Sequence, residues 1–334
     1  MFKAAIIGLG DISDTHIRAL QVNPAVELIA ACDINPARAE AAAGARFFTD
    51  YQKMLDQVRL DCVHICLPHY LHYPVAREAA ARGIHIFCEK PPALDWRETQ
   101  AFLALEAAHP DLKIGICLQN RRNNSFETLL SIVGSGRLGA VCGIKGLVAW
   151  YRSREYYTEK PWRGKLATAG GGLLPNQTIH TLDQMQLIGG PIAGIRGIMA
   201  NLLDYEGLEV EDTVCARIHF RSGASGMFMA TNANNRNDSV EISVILGKGE
   251  LTIQGSVLYQ TVDGCRQPIA EDNRLSGAKF YYGTSHEKLI GQFYDCLAED
   301  RQDYIHVRDA AVSMRMIDAI RHSSAAGQEI CFED

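Results

Sequence analysis

The segment KAAIIGLGDIS, residues 3–13, determines how the first part of the chain is expected to fold. A short apolar strand runs directly into Gly8 and Gly10, and a helix is predicted to begin immediately after them. The two glycines permit a tight turn and a close approach of the backbone to a pyrophosphate at the helix N-terminus, whereas the third motif position, here Ser13, needs only a small residue. The loop residues predicted to bind a dinucleotide are Gly8, Leu9, Gly10, Asp11 and Ile12.

Asp33 ends the second predicted strand, about twenty residues beyond the glycine loop. A carboxylate there accepts hydrogen bonds from both hydroxyls of an adenine ribose and repels a 2′-phosphate, so the sequence favours NAD over NADP. Ile34 is assigned to the same cofactor site. A competing role for Asp33, capping the next helix, is better filled by Asn35. Arg38 leaves binding of NADP open. It lies one turn into that helix, where it either binds a phosphate or is a solvated surface residue.

The first 120 residues alternate short apolar runs with Ala-rich amphipathic stretches, a pattern typical of repeated βαβ units. We therefore predict an α/β fold that begins with a Rossmann domain, a doubly wound parallel sheet, over residues 1–120. Helices are expected at Pro36–Ala43 and Tyr73–Ala81. The predicted strands cover residues 3–7, 27–32, 46–48, 61–67, 84–88 and 113–118.

Beyond residue 120 the pattern changes to long alternating runs at residues 211–220, 224–231 and 240–246. Such runs predict an antiparallel sheet with one solvated face. Helices are expected after Gly170-Gly171-Gly172 and over residues 286–298 and 307–323. The sequence thus predicts a C-terminal α+β domain, residues 121–334, with a large, mainly antiparallel open sheet for substrate binding and oligomerisation. Because a second subunit would cover one sheet face, we expect a homodimer or homotetramer.

Composition excludes several classes of partner. The formal net charge of −6 and the lack of a long Lys/Arg cluster give no electrostatic footprint for nucleic acid or an anionic membrane. The apolar stretch at residues 4–9 is too short for a signal sequence or a membrane span. The ten cysteines form no C-x-x-C pair, so no metal site is expected, and unpaired thiols favour a reducing cytoplasm.

Two further motifs resemble the glucose-fructose oxidoreductase, inositol dehydrogenase and rhizopine-catabolism (Gfo/Idh/MocA) family. They are CEKP at residues 88–91 and the run from Gly170-Gly171-Gly172 through Asn176 and His180 to Asp183. The resemblance extends over nearly the whole chain, and includes segments 65–72, 119–121, 161–164 and 210–213. It implies NAD chemistry on a small-molecule polyol or sugar. The cofactor residues it adds are Pro68, His72, Glu89, Lys90 and Asn120.

Lys90 stands at the carboxyl end of a predicted parallel strand, the edge at which open α/β sheets bind ligands. Pro91 keeps Lys90 out of the helical region, which aims the ammonium group. The resemblance implies that Lys90 orients the substrate alcohol and stabilises its alkoxide. We therefore assign Lys90 a catalytic role.

The helix after the three glycines carries the second group of predicted site residues. Spacings of four and three residues place Asn176, His180 and Asp183 on one helix face. The resemblance implies that His180 is the general base, and an imidazole with an ordinary pKa of about 6.5 can accept a proton at cytoplasmic pH. Many family members have aspartate where Asn176 stands, so a carboxylate relay is in doubt here. The predicted substrate-binding residues are Asn176, Gln177, Asp183, Trp162 and Arg163.

These observations predict a cytoplasmic oxidoreductase that moves a hydride between NAD and a secondary alcohol of a sugar, glycoside, sugar acid or cyclitol. Two alternatives remain open. One is a redox-neutral glycosidase that uses NAD through a transient 3-keto sugar, and the other is an NAD-binding regulatory sensor without chemistry. A pure sensor has no need of both Lys90 and His180. His69, where many members carry asparagine, has no explanation from the sequence.

Overall fold

A computed structural model describes residues 1–273 and 284–333. The chain divides into two compact units. The first unit comprises residues 1–119 and 284–311, and the second comprises residues 120–283 and 312–334.

The first unit contains a six-stranded parallel sheet in the order β3-β2-β1-β4-β5-β6. Its strands are β1 Phe2–Ile7, β2 Val26–Cys32, β3 Arg46–Phe48, β4 Cys62–Ile65, β5 His85–Glu89 and β6 Ile114–Cys117. Its helices up to residue 119 are α1 Ser13–Val22, α2 Tyr51–Gln57, α3 His72–Ala80 and α4 Trp96–Ala108. Every predicted strand of this half forms. Strands β4, β5 and β6 are almost wholly buried, as expected of a parallel sheet, whereas the edge strand β3 is exposed or half-buried.

The segment predicted as a helix at Pro36–Ala43 forms a 3₁₀ helix, Pro36–Ala42. Asn35 caps it as expected, because its side chain accepts a hydrogen bond from the Ala37 amide at 3.0 Å. The prediction of the element and its cap was therefore right, and only the helix type differs.

The second unit is built on a nine-stranded sheet in the order β14-β13-β12-β11-β7-β10-β9-β8-β15. Its strands are β7 Val141–Ala149, β8 Ile192–Ala200, β9 Thr213–Phe220, β10 Ser225–Thr231, β11 Glu241–Leu246, β12 Gly249–Gln254, β13 Val257–Val262, β14 Cys265–Glu271 and β15 Ile330–Cys331. All neighbouring pairs are antiparallel except β7 and β10, which are parallel, so the sheet is mixed.

One face of this sheet is covered by helix. Helices α5 Asn124–Gly134 and α8 Ile179–Gly189 pack against its strands. This unit also contains the short helices α6 Arg154–Thr158 and α7 Leu166–Ala169. Helix α8 lies close on β7 at Gly146, where an added Cβ would come within 2.6 Å of the Met185 sulfur and 3.0 Å of the Thr181 methyl. A side chain at Gly146 would therefore force the Met185 and Thr181 side chains of α8 to shift, and α8 carries the predicted site residues His180 and Asp183.

The last two long helices are α9 Ser285–Ala298 and α10 Val307–Ala326. Residues 284–311 belong to the first unit, which differs from the predicted division into residues 1–120 and 121–334. The reason is packing that is distant in sequence: the Phe293 ring lies 5.1 Å from that of Phe87, and a Cβ on Gly115 would come within 2.8 Å of Phe293. Among the described helices, none is both long enough and apolar enough to cross a membrane.

Candidate active site

The glycine loop after β1 has the geometry that its sequence predicts. Gly8 has a φ of +95°, and a Cβ there would lie 2.4 Å from the Cys66 carbonyl oxygen, so only glycine fits. A Cβ on Gly10 would meet no heavy atom of the described chain within 4 Å. Ser13 is buried and donates its hydroxyl hydrogen to the Gly10 carbonyl at 2.7 Å. The Ser13 side chain thus stabilises the turn from its buried side, and the other side of Gly10 leaves space for a ligand.

Helix α1 begins directly after this loop without a side-chain cap. Ile12 occupies the N-cap position, and its apolar side chain accepts no hydrogen bond from the first turn. The Ser13 amide lies 3.4 Å from the Gly10 carbonyl oxygen, and the Thr15 amide donates to the Ile12 carbonyl at 3.0 Å. The positive end of the helix dipole lies at the start of α1, beside the open side of Gly10, and favours an anion there. This arrangement fits the pyrophosphate of a dinucleotide.

Asp33 is fixed against the glycine loop rather than used as a helix cap. One carboxylate oxygen accepts from the Leu9 amide at 2.9 Å, and the other accepts from the Asn35 amide at 2.9 Å. Each oxygen retains a second lone pair for a ribose hydroxyl. The neighbouring Ile34 side chain is 89% exposed, which leaves an apolar surface beside the carboxylate. The residues at the ends of β1 and β2 therefore fit an NAD molecule, which the family motif implies.

His72 joins the loops that follow β4 and β5. Its Nε2 lies 2.7 Å from the Leu67 carbonyl oxygen, and its Nδ1 lies 2.6 Å from that of Pro91. Carbonyl oxygens only accept, and a neutral imidazole has one N–H, so the neutral ring donates to one of the two carbonyls at a time. Burial lowers the pKa of His72, while the two carbonyl bonds act in the opposite direction. His72 therefore positions the loop after β5, which contains Lys90, and His69 is buried in the adjacent 3₁₀ turn.

Glu89 is the buried anchor beneath Lys90. Its carboxylate accepts from His16 Nε2 at 2.8 Å and from the Lys90 amide at 3.2 Å, and His286 Nε2 lies 3.9 Å away. Burial alone would raise the pKa of the Glu89 carboxyl, but the hydrogen bond from His16 and the attraction of neighbouring basic groups outweigh burial and lower it. The carboxylate therefore stays ionised and holds the backbone of Lys90 at the strand end.

The Glu89 contact continues into a buried chain of hydrogen bonds. Because the carboxylate accepts from His16 Nε2, the other His16 nitrogen is free to accept from His64 Nδ1 at 2.9 Å. His64 Nε2 then accepts from the Tyr294 hydroxyl at 3.0 Å. Burial holds the pKa of His64 well below its usual range, consistent with this neutral tautomer. The chain of donors runs from α9 through β4 and α1 to the carboxylate at the end of β5.

His16, Glu89 and Cys117 bring three metal-binding side-chain types within 4.8 Å of one another. The His16 to Glu89 distance of 2.8 Å is that of a hydrogen bond, shorter than the roughly 3.3 Å expected between two ligands of one tetrahedral zinc ion. Burial raises the pKa of the Cys117 thiol well above its usual range, so the thiolate that binds metals is disfavoured. We interpret this cluster as part of the hydrogen-bonded support of Lys90.

In the second unit, Glu211 fixes the start of the segment that carries the predicted substrate residues. Its carboxylate accepts from the Gly172 and Leu174 amides, both at 2.9 Å. A Cβ on Gly172 would lie 2.0 Å from the Glu211 carbonyl oxygen, so glycine is required there. Burial raises the pKa of Glu211, and the two amide hydrogen bonds oppose this effect.

The segment after the glycines begins with a π-helical turn, Leu174–Thr178, and continues as α8. The prediction assumed α-helical geometry throughout. His180 and Asp183 both lie in α8, three residues apart, whereas Asn176 lies in the wider turn before it. The α-helical spacing argument therefore holds for His180 and Asp183 and does not extend to Asn176.

Asp183 has a protein partner. The guanidinium group of Arg121 donates to both carboxylate oxygens, at 2.8 and 2.6 Å, in the bidentate arrangement that is strongest for this pair. The Asp183 side chain is 1% exposed and that of Arg121 is 14% exposed. His180, one turn before Asp183, is also buried. The assignment of Asp183 to the substrate stays a prediction, and the structure gives it a role in fixing α8.

The remaining predicted substrate residues of this unit converge on Tyr156. Asn176 Nδ2 and Gln177 Nε2 each donate to the Tyr156 hydroxyl at 2.9 Å. The Arg163 guanidinium lies over the Tyr156 ring at 4.2 Å and over the Trp162 ring at 5.8 Å. Asn176, Gln177 and Arg163 thus contact one side chain that was not among the predicted substrate residues, and Trp162 is joined to this group through Arg163.

Asn120, predicted to contact the cofactor, lies in the 3₁₀ turn Gln119–Arg122 that follows β6, and its carbonyl accepts from Gln184 Nε2 at 3.5 Å. Pro68 lies at the start of the 3₁₀ turn that leads into α3. Both residues stand at the carboxyl ends of parallel strands, as the sequence indicated.

From the sequence, Tyr156 is a candidate for lining the cleft together with Tyr151 and Tyr157, but the spacing of the three does not decide it. Arg121 and Glu211 lie in segments that resemble the family without an assigned role, and His16 has none. The only local signals were a tyrosine pair at residues 156 and 157, a basic pair after β6 and a histidine in the first helix after the glycine loop. None of these signals identifies a partner, because each partner is distant in the chain.

Two family models match this chain. Residues 2–113 match GFO_IDH_MocA, an oxidoreductase family with an NAD-binding Rossmann fold, and residues 126–252 match the GFO/IDH/MocA C-terminal domain. Together the two matches span well over half of the chain. The Rossmann match lies in the first unit and the C-terminal match lies in the second. The chain belongs to the GFO/IDH/MocA oxidoreductase family.

Individual relatives agree with this result. The chain is 27% identical over 315 residues to the D-glucoside 3-dehydrogenase of Escherichia coli, covering 81% of this chain and 84% of that protein. It is 24% identical over 339 residues to the uncharacterized oxidoreductase YrbE of Bacillus subtilis, covering 98% and 96%.

A similar fold is seen in the crystal structure of the WlbA dehydrogenase from Bordetella pertussis in complex with NADH and UDP-GlcNAcA. The TM-score is 0.87, with 27% identity and coverage of 100% of this chain and 99% of that one. The predicted family, the fold class and the enzyme class, an NAD-dependent oxidoreductase, are confirmed.

Proposed function

We propose that this protein is an NAD-dependent dehydrogenase that oxidises, or in reverse forms, a secondary alcohol of a sugar, glycoside, sugar acid or cyclitol. The observation that carries the proposal is the anchoring of Lys90 at the end of β5 by the buried, ionised Glu89 carboxylate. A lysine whose backbone is fixed at the ligand-binding edge of a Rossmann sheet suits the stabilisation of a developing alkoxide. The D-glucoside in the name of one relative and the UDP-GlcNAcA bound to the WlbA dehydrogenase support the same substrate class.

Each site residue then has a separate task. Lys90 donates hydrogen bonds to the substrate hydroxyl and lowers the energy of its alkoxide form, and His180 accepts the hydroxyl proton. NAD, when bound at the glycine loop, supplies the hydride acceptor. The predicted cofactor residues Leu9, Asp11 and Ile12 lie along that loop, and Asn176 and Gln177 contact the sugar hydroxyls. Arg121 positions α8 through Asp183.

The preference for NAD over NADP depends on Asp33. We expect Asp33→Ser to weaken binding of NAD and relatively improve binding of NADP, because the ribose loses an acceptor and a 2′-phosphate loses a repelling charge. Titration of both cofactors by quenching of tryptophan fluorescence measures the ratio. Asp50→Ser, which removes a helix-capping carboxylate elsewhere in the same unit, is the control. A cofactor ratio that is the same in Asp33→Ser and wild type contradicts the assignment.

One experiment separates the proposed dehydrogenase from its two alternatives. Wild-type protein is incubated with NAD and a panel of sugars, glycosides, sugar acids and cyclitols, and both NADH absorbance and free reducing sugar are recorded. A dehydrogenase produces NADH in proportion to the oxidised polyol. A redox-neutral glycosidase releases free sugar without net NADH, and a sensor produces neither, so either of these results contradicts the proposal.

We further propose that the protein is a cytoplasmic homodimer or homotetramer that associates through the open face of the second-unit sheet. Large apolar side chains lie exposed on strands β8, β10 and β11 of that sheet, with Ile198 69% and Met229 50% exposed, and with Met227 and Ile245 also exposed. Cys215 pairs with both Ile198 and Met229 across the strands, which makes the apolar row continuous. Monomeric proteins rarely leave such a patch uncovered. The ten free cysteines support a reducing compartment.

Met229→Lys places a charge in the centre of this row. We expect wild-type protein to scatter light with a mass of at least twice 36.8 kDa at micromolar concentration, and the variant to shift toward that monomer mass. Val22→Lys, at an exposed apolar position of α1, is the control. A monomeric wild-type protein, or a Met229→Lys variant that keeps the wild-type mass, overturns the interface.

A further inference from the structure

The Tyr156 hydroxyl accepts two hydrogen bonds from neighbouring amides. Asn176 Nδ2 and Gln177 Nε2 both donate to it at 2.9 Å. A hydroxyl has two acceptor lone pairs and one donor hydrogen. Both acceptor positions are therefore used, and within residues 1–273 and 284–333 no acceptor is found for the phenolic hydrogen. The two amide contacts therefore leave the Tyr156 hydroxyl able to donate its hydrogen to an oxygen atom of a ligand.

Gln177 supplies the complementary group. Its Oε1 atom is buried, and no hydrogen-bond donor within the described part of the chain reaches it. A buried amide oxygen without a donor is unfavourable, and such a group in a native protein calls for a ligand or water partner. Because Gln177 Nε2 bonds to Tyr156, this acceptor lies directly beside the phenolic donor.

The position of Tyr156 is fixed by contacts of its ring. The guanidinium groups of Arg163 and Arg152 lie 4.2 and 5.2 Å from its centroid, and the Tyr157 ring meets it edge-on at 5.0 Å. Tyr157 is itself buried and accepts from Asn232 Nδ2 at 3.2 Å. A phenol supported in this way loses little freedom when it binds a ligand, which favours a binding role.

We propose that Tyr156 and Gln177 bind a vicinal diol of the substrate, with the phenol donating to one hydroxyl oxygen and the amide oxygen accepting from the next hydroxyl. The inference rests on the proposed function and narrows its substrate class. A carboxylate or phosphate group of a substrate is disfavoured at this position, because neither has a hydrogen to give to Gln177 Oε1 at neutral pH. The ligand portion recognised here is an uncharged polyol.

The π turn explains how two consecutive residues, Asn176 and Gln177, both donate to the Tyr156 hydroxyl. Asn176 and Gln177 both lie in Leu174–Thr178, where the backbone is wider than in an α-helix, and Glu211 holds the beginning of this segment. Single π turns inside helices are found frequently at functional sites. The local geometry thus presents two amides to Tyr156 and leaves one amide oxygen for a ligand.

The test compares parent polyols with their monodeoxy analogues. The probes are methyl α-D-glucoside, D-glucuronate and myo-inositol, each with analogues lacking one hydroxyl. For the best parent substrate, we expect Tyr156→Phe to raise KM about tenfold with a much smaller change in kcat, because an uncharged hydrogen bond is lost. For the analogue that lacks the recognised hydroxyl, Tyr156→Phe and wild type should have equal KM values.

Gln177→Met is the second variant and should show the same pattern with the analogue lacking the adjacent hydroxyl. Tyr151→Phe, which removes an exposed phenol from the same segment, is the control and should keep wild-type kinetics. The diol assignment is overturned if Tyr156→Phe leaves KM unchanged for every parent. It is also overturned if KM rises equally for a parent and all its analogues, because that result indicates a structural role alone.

Calorimetry with NAD and the same polyols tests the diol contact independently of the proposed dehydrogenase activity. If wild-type protein binds a polyol but forms no NADH, the proposed dehydrogenase fails while the diol contact is still measured. The contact is supported if Tyr156→Phe binds the parent polyol more weakly than wild type does, and if the two proteins bind one monodeoxy analogue equally. The contact is contradicted if the two proteins bind the parent polyol equally. A wild-type protein that binds none of the three parents also contradicts it.

Discussion

Replacing Lys90 by methionine should lower kcat for polyol oxidation by at least about a hundredfold, the scale for removing one preorganised electrostatic group from an active site. The side chain keeps its length and loses its charge, so the effect is electrostatic rather than steric. The backbone amide of Lys90 still donates to Glu89, and the loop remains joined by His72 to the Pro91 carbonyl. Binding of NAD to the glycine loop should therefore change little.

The measurement is steady-state turnover at saturating substrate, with NAD affinity determined separately by fluorescence. Lys53→Met, at an exposed lysine in α2 of the same unit, is the matched control and should keep wild-type turnover. If Lys90→Met retains turnover within a factor of a few of wild type, Lys90 is a structural residue and the mechanism proposed for this family motif does not apply here.

Replacing His180 by alanine should lower turnover in the oxidising direction by about a hundredfold to ten-thousandfold, the range for loss of a positioned general base. In wild type, turnover should fall as the pH drops, because a protonated imidazole cannot accept the substrate proton. The alanine variant should lose this acidic limb of the profile. His322→Ala, at an exposed histidine in α10, is the control and should keep both turnover and the limb.

Asn176→Asp tests the position at which this chain has asparagine and many family members have aspartate. Residue 176 lies in the π turn before α8, four residues before His180. Where the two side chains approach each other, a carboxylate at position 176 favours the imidazolium, and the acidic limb should then move to higher pH. Asp183 has its charge paired with Arg121 on both oxygens, which weakens any similar influence from that side. An acidic limb that persists in His180→Ala and does not move in Asn176→Asp places the proton acceptor elsewhere in the protein.

The sequence was most informative where structure depends on neighbouring residues. The strands of the first unit are continuous apolar runs, and the glycine loop and Asp33 follow strand ends directly, so both could be located. Strand β7 was missed because Gly143 and Gly146 interrupt its apolar pattern. Gly146 is explained only by the close approach of α8, which no local pattern reveals.

The supporting contacts of the site could not be predicted for a related reason. His16 and Glu89 are 73 positions apart, and Arg121 and Asp183 are 62 positions apart. A single sequence identifies such groups as polar but does not indicate which of them pair. The π turn is similarly hidden, because Asn176 and His180 have a spacing that also fits an α-helix.

The most direct test of the central claim is transfer of deuterium from carbon to cofactor. A polyol substrate carrying deuterium on the carbon that is oxidised is incubated with the wild-type protein and NAD, and the reduced cofactor is examined by mass spectrometry and NMR. We predict that one deuterium is found on C4 of the nicotinamide ring for each molecule of ketone formed. In Lys90→Met, the label should appear on the cofactor at least about a hundredfold more slowly. Deuterium released to water, or NADH formed without the label, would contradict hydride transfer from the polyol to NAD.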